Sequence, residues 1–259
     1  VRAGPAVRGR LEIIQALRGI AAFAVVGFHV RNSLGAAGDR LFGYGYAGVD
    51  LFFVISGFIM VHTTSALAGT PRDALRFLVK RLARIWPVYV VATLAYVVVR
   101  GFTAHYLGTG DGVLHLLKAF VFYPQARRGP PWLGFAPDEV GWTLNYEVAF
   151  YLLFALALLA GRWRYRVLAG SFITLLVVVP LIVTGHVHAD AYGDYGLHPA
   201  YLELLANPLL WEFLAGVGIA LLYHSWVRVS PAAGRAFAAI ATCAVVAQYG
   251  WDLGFGYGP

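Results

Sequence analysis

Apolar runs long enough to cross a bilayer recur seven times in this chain, and that recurrence excludes most folds. They occupy residues 11–30, 47–66, 85–102, 140–160, 167–185, 206–223 and 236–253. A hydrocarbon core ~30 Å thick needs ~20 helical residues to cross it. Only 13% of the residues are charged while 59% are hydrophobic. A soluble domain carries about 25% charged residues, so this chain has too little charge to cover a globular surface. The expected fold is all-α: a polytopic transmembrane helical bundle of about seven spans, with residues 1–259 forming one domain. The stretch "VLHLLKAFVFYP" (113–124) is too short to cross and is predicted to lie at the interface or re-enter.

The formal net charge of +7 reads first as topology, not as a nucleic-acid footprint. Arg2, Arg8 and Arg10 precede the first run. Arg72, Arg76, Lys80, Arg81 and Arg84 follow the second, and Arg162, Arg164 and Arg166 follow the fourth. Arg228 and Arg235 lie between the last two. The segment 186–205 holds no Lys or Arg and three acids, Asp190, Asp194 and Glu203. Cytoplasmic loops collect Lys and Arg, so the N-terminus is expected in the cytoplasm and 186–205 outside. The first run is too long for a signal-peptide core, and "GFHVRN" is a poor cleavage site, so an uncleaved span is expected. The single cysteine, Cys243, is expected to be a small packing residue.

Polar residues inside the runs carry the chemistry. Arg18 and His29 are eleven residues apart. At ~100° and ~1.5 Å per residue they fall within about 20° of one helical face and ~16 Å apart along the axis. A charge in a span costs at least ~2.5–3.5 kcal/mol on insertion scales and usually faces a polar cavity. The plainer alternative is that Arg18 satisfies helix carbonyls and His29 sits at the interface. Asp50 and Ser56 lie in the second run, where Asp50 reads equally as a helix-start residue. Gly48 and Gly57 permit close helix packing. In "RFLVKRLARIWPVY", Arg81 and Arg84 share a helical face. They read either as headgroup anchors or as a polyanion site, since guanidinium groups grip phosphates in bidentate fashion. Glu147 sits in the fourth run beside Asn145 and Tyr146 and needs a basic partner from another helix, with Arg18 a candidate. Glu212 is a second, more ambiguous acid within a run. His186 and His188 form an H-x-H pair that no cysteine or acidic motif completes, so no metal site is expected.

Taken in order, these stretches resemble the membrane-bound acyltransferase 3 family. "LEIIQALRGIAAFAVVGFHVRNS" resembles its Leu-Arg-Gly…His first helix, "GVDLFFVISGF" its second-helix signature, and "RLAR" with "IWPVY" its Arg-x-x-Arg element. "WTLNYEVAFYLLF" and "PLLWEFLAGVGIALL" look most like the branch that acetylates exopolysaccharides. The motifs cover residues 11–225. Family members have about ten spans, so the resemblance implies a chain that lacks C-terminal helices.

The resemblance implies an integral membrane O-acyltransferase of the bacterial inner membrane. It would move an acyl group, expected to be acetyl, from cytosolic acyl-CoA to a hydroxyl of an extracytoplasmic glycan or lipid-linked sugar. His29 is then the general base, Arg18 holds the thioester or its developing charge, and Glu147 orients one of them. Arg81 and Arg84 bind the acetyl-CoA phosphates, and Asp50, Ser56, Asn145 and Tyr146 are weaker substrate-binding candidates. Membrane lipids complete the expected partners, without nucleic acid or metal. The competing reading is a non-catalytic transporter or flippase for a polar glycan, because polar residues in spans also mark permeation paths. No duplicated or inverted half of the kind many transporters show supports it.

Overall fold

The computed structural model describes residues 5–125, 129–133, 137, 139–227 and 229–251, and every regular element among them is helical. Arg2 and Arg228, both part of the charge-based orientation, lie outside the described residues, as do positions 252 and 253 of the seventh run. In chain order the helices are α1 (Pro5–Val30), α2 (Gly35–Phe42), α3 (Ala47–Thr64), α4 (Pro71–Val99), α5 (Thr103–Leu107), α6 (Gly110–Phe120), α7 (Trp142–Leu158), α8 (Arg164–Ile173), α9 (Val179–Thr184), α10 (Ala200–Leu205), α11 (Leu210–His224) and α12 (Pro231–Trp251). A π-helical turn, Thr174–Val178, joins α8 to α9.

Among the described residues, five helical stretches are long and apolar enough to cross a membrane: Glu12–Phe42, Ala47–Thr64, Pro71–Val99, Gly161–Thr184 and Ala200–His224. The fourth predicted run forms α7, an apolar helix of 17 residues. The seventh lies along α12. The chain is therefore a multi-pass helical membrane protein. The stretch at 113–124 is no span; its helix α6 has 11 residues and buries only one face, through Gly112, His115, Leu116 and Ala119. Cys243 is exposed on α12 instead of packed.

The residues group into two compact units, 1–62 with 215–259, and 63–214. In the first, helix packing depends on missing side chains. A Cβ on Gly48 of α3 would strike the Ala21 carbonyl and Val25 of α1, and one on Gly216 of α11 would strike the Val54 carbonyl of α3. Lipid tails give apolar helices no hydrophobic reason to associate, so close backbone approach supplies the contact.

The second unit is built around α4 and α7. Thr70 caps α4: its hydroxyl accepts from the Asp73 amide while the Asp73 carboxylate accepts from the Thr70 amide, a reciprocal capping box. The third apolar run starts only at residue 85. The cap starts the helix at Pro71, so the basic segment and the apolar run form one 29-residue helix with Pro87 inside it. Below it, Phe150 stacks on Phe213 at 4.4 Å between ring centroids and meets Phe172 edge-on. Arg164, only 9% exposed, donates to the carbonyls of Gly161, Thr64 and Leu67. It thus ties together the carbonyls at the end of α3 and in the turn before α8 with charge-assisted hydrogen bonds. Its neighbours Arg162 and Arg166 lie over the Trp163 ring. Of the three arginines counted as loop charge, one is therefore a structural staple.

Candidate active site

In the first unit the polar stripe is carried by α1, which runs unbroken from Pro5 to Val30, so the register linking Arg18 to His29 holds. Arg18 is half-buried, and His29 is exposed with its ring edge-on to Phe28 at 5.7 Å. The His29 imidazole, near the end of α1, is not enclosed by the packing of this unit. Asp50 is half-buried in the first turn of α3, three residues past its start. It therefore meets the positive end of the helix dipole and is not the cap itself. Ser56 lies further along α3, half-buried.

In the second unit, the first half of α4 lines a cleft of about 300 Å³ with Arg76, Lys80, Arg81 and Arg84, joined by Thr63, Asp73 and Phe77. Arg81 is held in place: its Nη2 donates to Thr63 Oγ1 at 2.7 Å and its guanidinium sits 5.6 Å from the Phe77 ring centroid. Asp73, the one acid in the lining, is engaged by the cap. Four cations thus share one small cleft, and their mutual repulsion is relieved best by a polyanion. Arg81 and Arg84 were expected here. Arg76 and Lys80 were not singled out, although positions 76, 80 and 84 follow one another at i, i+4 spacing along one face.

Glu147 on α7 accepts a hydrogen bond from the Tyr151 hydroxyl one turn later. The same hydroxyl lies within electrostatic range of Arg81 and Arg84, and the Tyr151 ring meets Phe77 edge-on at 6.2 Å. Glu147, Tyr151 and the basic cleft therefore form one neighbourhood. The signal was present in the sequence as Glu147 and Tyr151 at i, i+4, but Tyr151 looked like an ordinary aromatic of an apolar span. Asn145 and Tyr146 are buried, and both hold the preceding loop: Asn145 Nδ2 donates to the Leu133 carbonyl and Tyr146 Oη to that of Pro131. Among the described residues no group of three or more His, Cys, Asp or Glu side chains is placed to hold a metal ion.

The acyltransferase 3 family model, described as an acyltransferase domain, matches residues 11–258. The chain is similar to the exopolysaccharide production protein ExoZ of Rhizobium meliloti, 37% identical over 72% of this chain and 55% of that protein. It is also similar to the putative membrane-bound transacylase BcsY of Komagataeibacter xylinus, 29% identical over 93% of this chain and 57% of that one. The putative peptidoglycan O-acetyltransferase YrhL of Bacillus subtilis is 25% identical over 81% of this chain and 33% of its own length. The chain thus spans little more than half the length of ExoZ and BcsY, and a third of YrhL. No solved structure matches it. With nearly the whole sequence under one family model and the membrane helices in place, the chain belongs to the acyltransferase 3 family.

Proposed function

We propose that this protein transfers an acetyl group from acetyl-CoA to a hydroxyl of an extracytoplasmic glycan. The observation that carries the donor half is the cleft on α4, with Arg76, Lys80, Arg81 and Arg84 around about 300 Å³. CoA is a cytosolic polyanion, and guanidinium groups match phosphate oxygens in charge and geometry. A cytoplasmic N-terminus in the bacterial inner membrane puts this basic end of α4 on the side where CoA is found. The names of relatives linked to exopolysaccharide production and peptidoglycan O-acetylation support a glycan acceptor.

In this reading His29 takes the proton from the acceptor hydroxyl as its oxygen attacks the thioester carbonyl. The carbon–sulfur bond then breaks, and the CoA thiolate leaves and recovers a proton from the imidazolium. Arg18, ~16 Å from His29 along the same helical face, is too far to share that carbonyl and instead holds the negatively charged donor in a region of low dielectric. Glu147, bonded to Tyr151 beside the cleft, steadies the local charge there. Asp50, Ser56, Asn145 and Tyr146 bind or frame substrate.

The test uses the full-length protein carrying this sequence, purified in detergent, with acetyl-labelled acetyl-CoA and a soluble oligosaccharide. Label should appear as an ester on the sugar. A folded preparation that releases no labelled ester with any hydroxyl acceptor contradicts the reading.

A further inference from the structure

The segment after α9 is built with unusual care for a loop. Three buried polar side chains hold two half-exposed aromatic rings in place. Asn145 and Tyr146 bind the backbone carbonyls on either side of Trp132, those of Leu133 and Pro131. Asn207, 2% exposed, donates to the Ala191 carbonyl next to Tyr192 and accepts from the Leu209 amide. Asp190 then accepts from the Tyr192 amide, and Tyr195 Oη donates to the Asp190 carbonyl. Trp132 and Tyr192 meet edge-on, ring centroids 5.3 Å apart at 67°. Pre-ordering of this kind lowers the entropy lost when a ligand binds.

A second observation points to a missing partner. His188 is 3% exposed, and its Nδ1 has no hydrogen-bond partner among the described residues. The Thr184 hydroxyl lies 2.8 Å from the Pro180 carbonyl, 3.2 Å from that of His186 and 3.0 Å from His188 Nε2. Nε2 is thus engaged in either tautomer, and Nδ1 is a buried N–H or a buried lone pair with no partner among the described residues. Burial, with His186 nearby, keeps the imidazole pKa below its ordinary value and so favours the neutral ring. A buried polar atom left unmatched is costly, and a hydroxyl, which both donates and accepts, would satisfy it.

We propose that residues 186–207 together with Trp132 form the docking platform for the acceptor, and that the acceptor is an uncharged glycan. This rests on the acyl-to-glycan reading and specifies its substrate class. Sugar rings present apolar C–H faces that stack on indole and phenol and hydroxyl edges that donate to carboxylates. Here the aromatic pair adjoins exposed Asp190, whose carboxylate accepts from the Tyr192 amide, with exposed Asp194 two residues past Tyr192. Among its described residues the platform has no Lys or Arg, and Asp190 and Asp194 would repel a uronate or phosphate, while Arg127 and Arg128 ahead of Trp132 lie outside the described residues.

The test measures binding directly, by titration calorimetry of the detergent-purified full-length protein with a neutral gluco-oligosaccharide and an oligogalacturonate of equal length. The neutral sugar should bind more tightly by about ten-fold or more. Tyr192→Ala should weaken it by about ten-fold while Tyr192→Phe, which keeps the ring, preserves it. Asp194→Lys should shift the preference toward the oligogalacturonate. Equal binding of both sugars, or an unchanged Kd in Tyr192→Ala, overturns the platform. Trp132→Ala should weaken binding of the neutral sugar as Tyr192→Ala does, and if Trp132→Ala does not fold, Tyr192→Ala and Asp194→Lys decide alone. The two readings fail separately. Sugar binding without acetyl transfer in the wild-type protein removes the transferase reading and leaves the platform. Transfer with an acceptor KM unmoved by Tyr192→Ala does the reverse.

Discussion

Helices α1 and α4 both carry cationic residues along an apolar span, and they carry them differently. On α4 the charges are crowded into the first half, where Arg76, Lys80, Arg81 and Arg84 converge on one cleft and Thr63 holds Arg81. On α1 the two within the apolar run are half-buried Arg18 and exposed His29, eleven residues apart and separate from Arg8 and Arg10 near the helix start. Crowded cations at a span's end are cheap to place among headgroups, and in the proposed reading they bind the donor. Isolated polar groups within a span cost several kcal/mol by ~2.5–3.5 for each charge, so a chain keeps them for chemistry. Charge position along a helix thus separates the binding half of the account from the reacting half.

The sharpest way to break this comparison is at His29. If it is the general base, His29→Ala should reduce kcat by ~10²–10⁴-fold with little change in donor KM. Initial-rate kinetics with varied acetyl-CoA decide it, and a loss confined to KM would put His29 in the binding half. Arg164 sharpens the comparison from the other side, because it is a cation in the basic unit that serves neither role. Arg164→Ala removes hydrogen bonds to three carbonyls and should destabilise the fold by about 3 kcal/mol. This is seen as a lower Tm in detergent, with donor KM unmoved in the protein that stays folded.

For Arg81 and Arg84, the double alanine variant should raise donor KM by ~10–100-fold, at about 1.4 kcal/mol per factor of ten, and leave kcat of the saturated enzyme near wild type. Rising ionic strength should raise the wild-type KM and flatten in the variant, because screening acts only on the charges present. An unchanged KM would reduce both residues to topology signals. The smallest expected effect is Thr70→Ala, which removes the α4 cap and should cost about 1 kcal/mol. It is read as a modest fall in Tm without change in the salt dependence of KM.

The sequence made the helical class plain because apolar runs of spanning length admit no other economical fold. It also made the register of Arg18 and His29 plain, since one continuous helix fixes it. Other parts were hidden for definite reasons. The start of α4 depended on the reciprocal bonds of Thr70 and Asp73, which local charge outweighed in a hydropathy reading. Arg164 looked like its neighbours Arg162 and Arg166, because three loop arginines differ only in what lies across from them. His188 and Tyr192 looked like ordinary loop residues, since the groups that order them, Thr184, Asn207 and Asp190, lie outside any recognisable spacing. Tyr151 became informative only when α7 packed against α4 and set its hydroxyl between Glu147 and the cleft.

One measurement reaches the central claim, that binding and chemistry are divided between the charges of α4 and α1. Steady-state acetyl transfer from labelled acetyl-CoA is measured for the wild-type protein, His29→Ala and the Arg81→Ala, Arg84→Ala double variant, with kcat and donor KM determined separately. The account predicts that His29→Ala loses kcat and keeps KM, while the double variant loses donor affinity and keeps kcat. Equal losses of both constants in the two variants, or full transfer by His29→Ala, would contradict it.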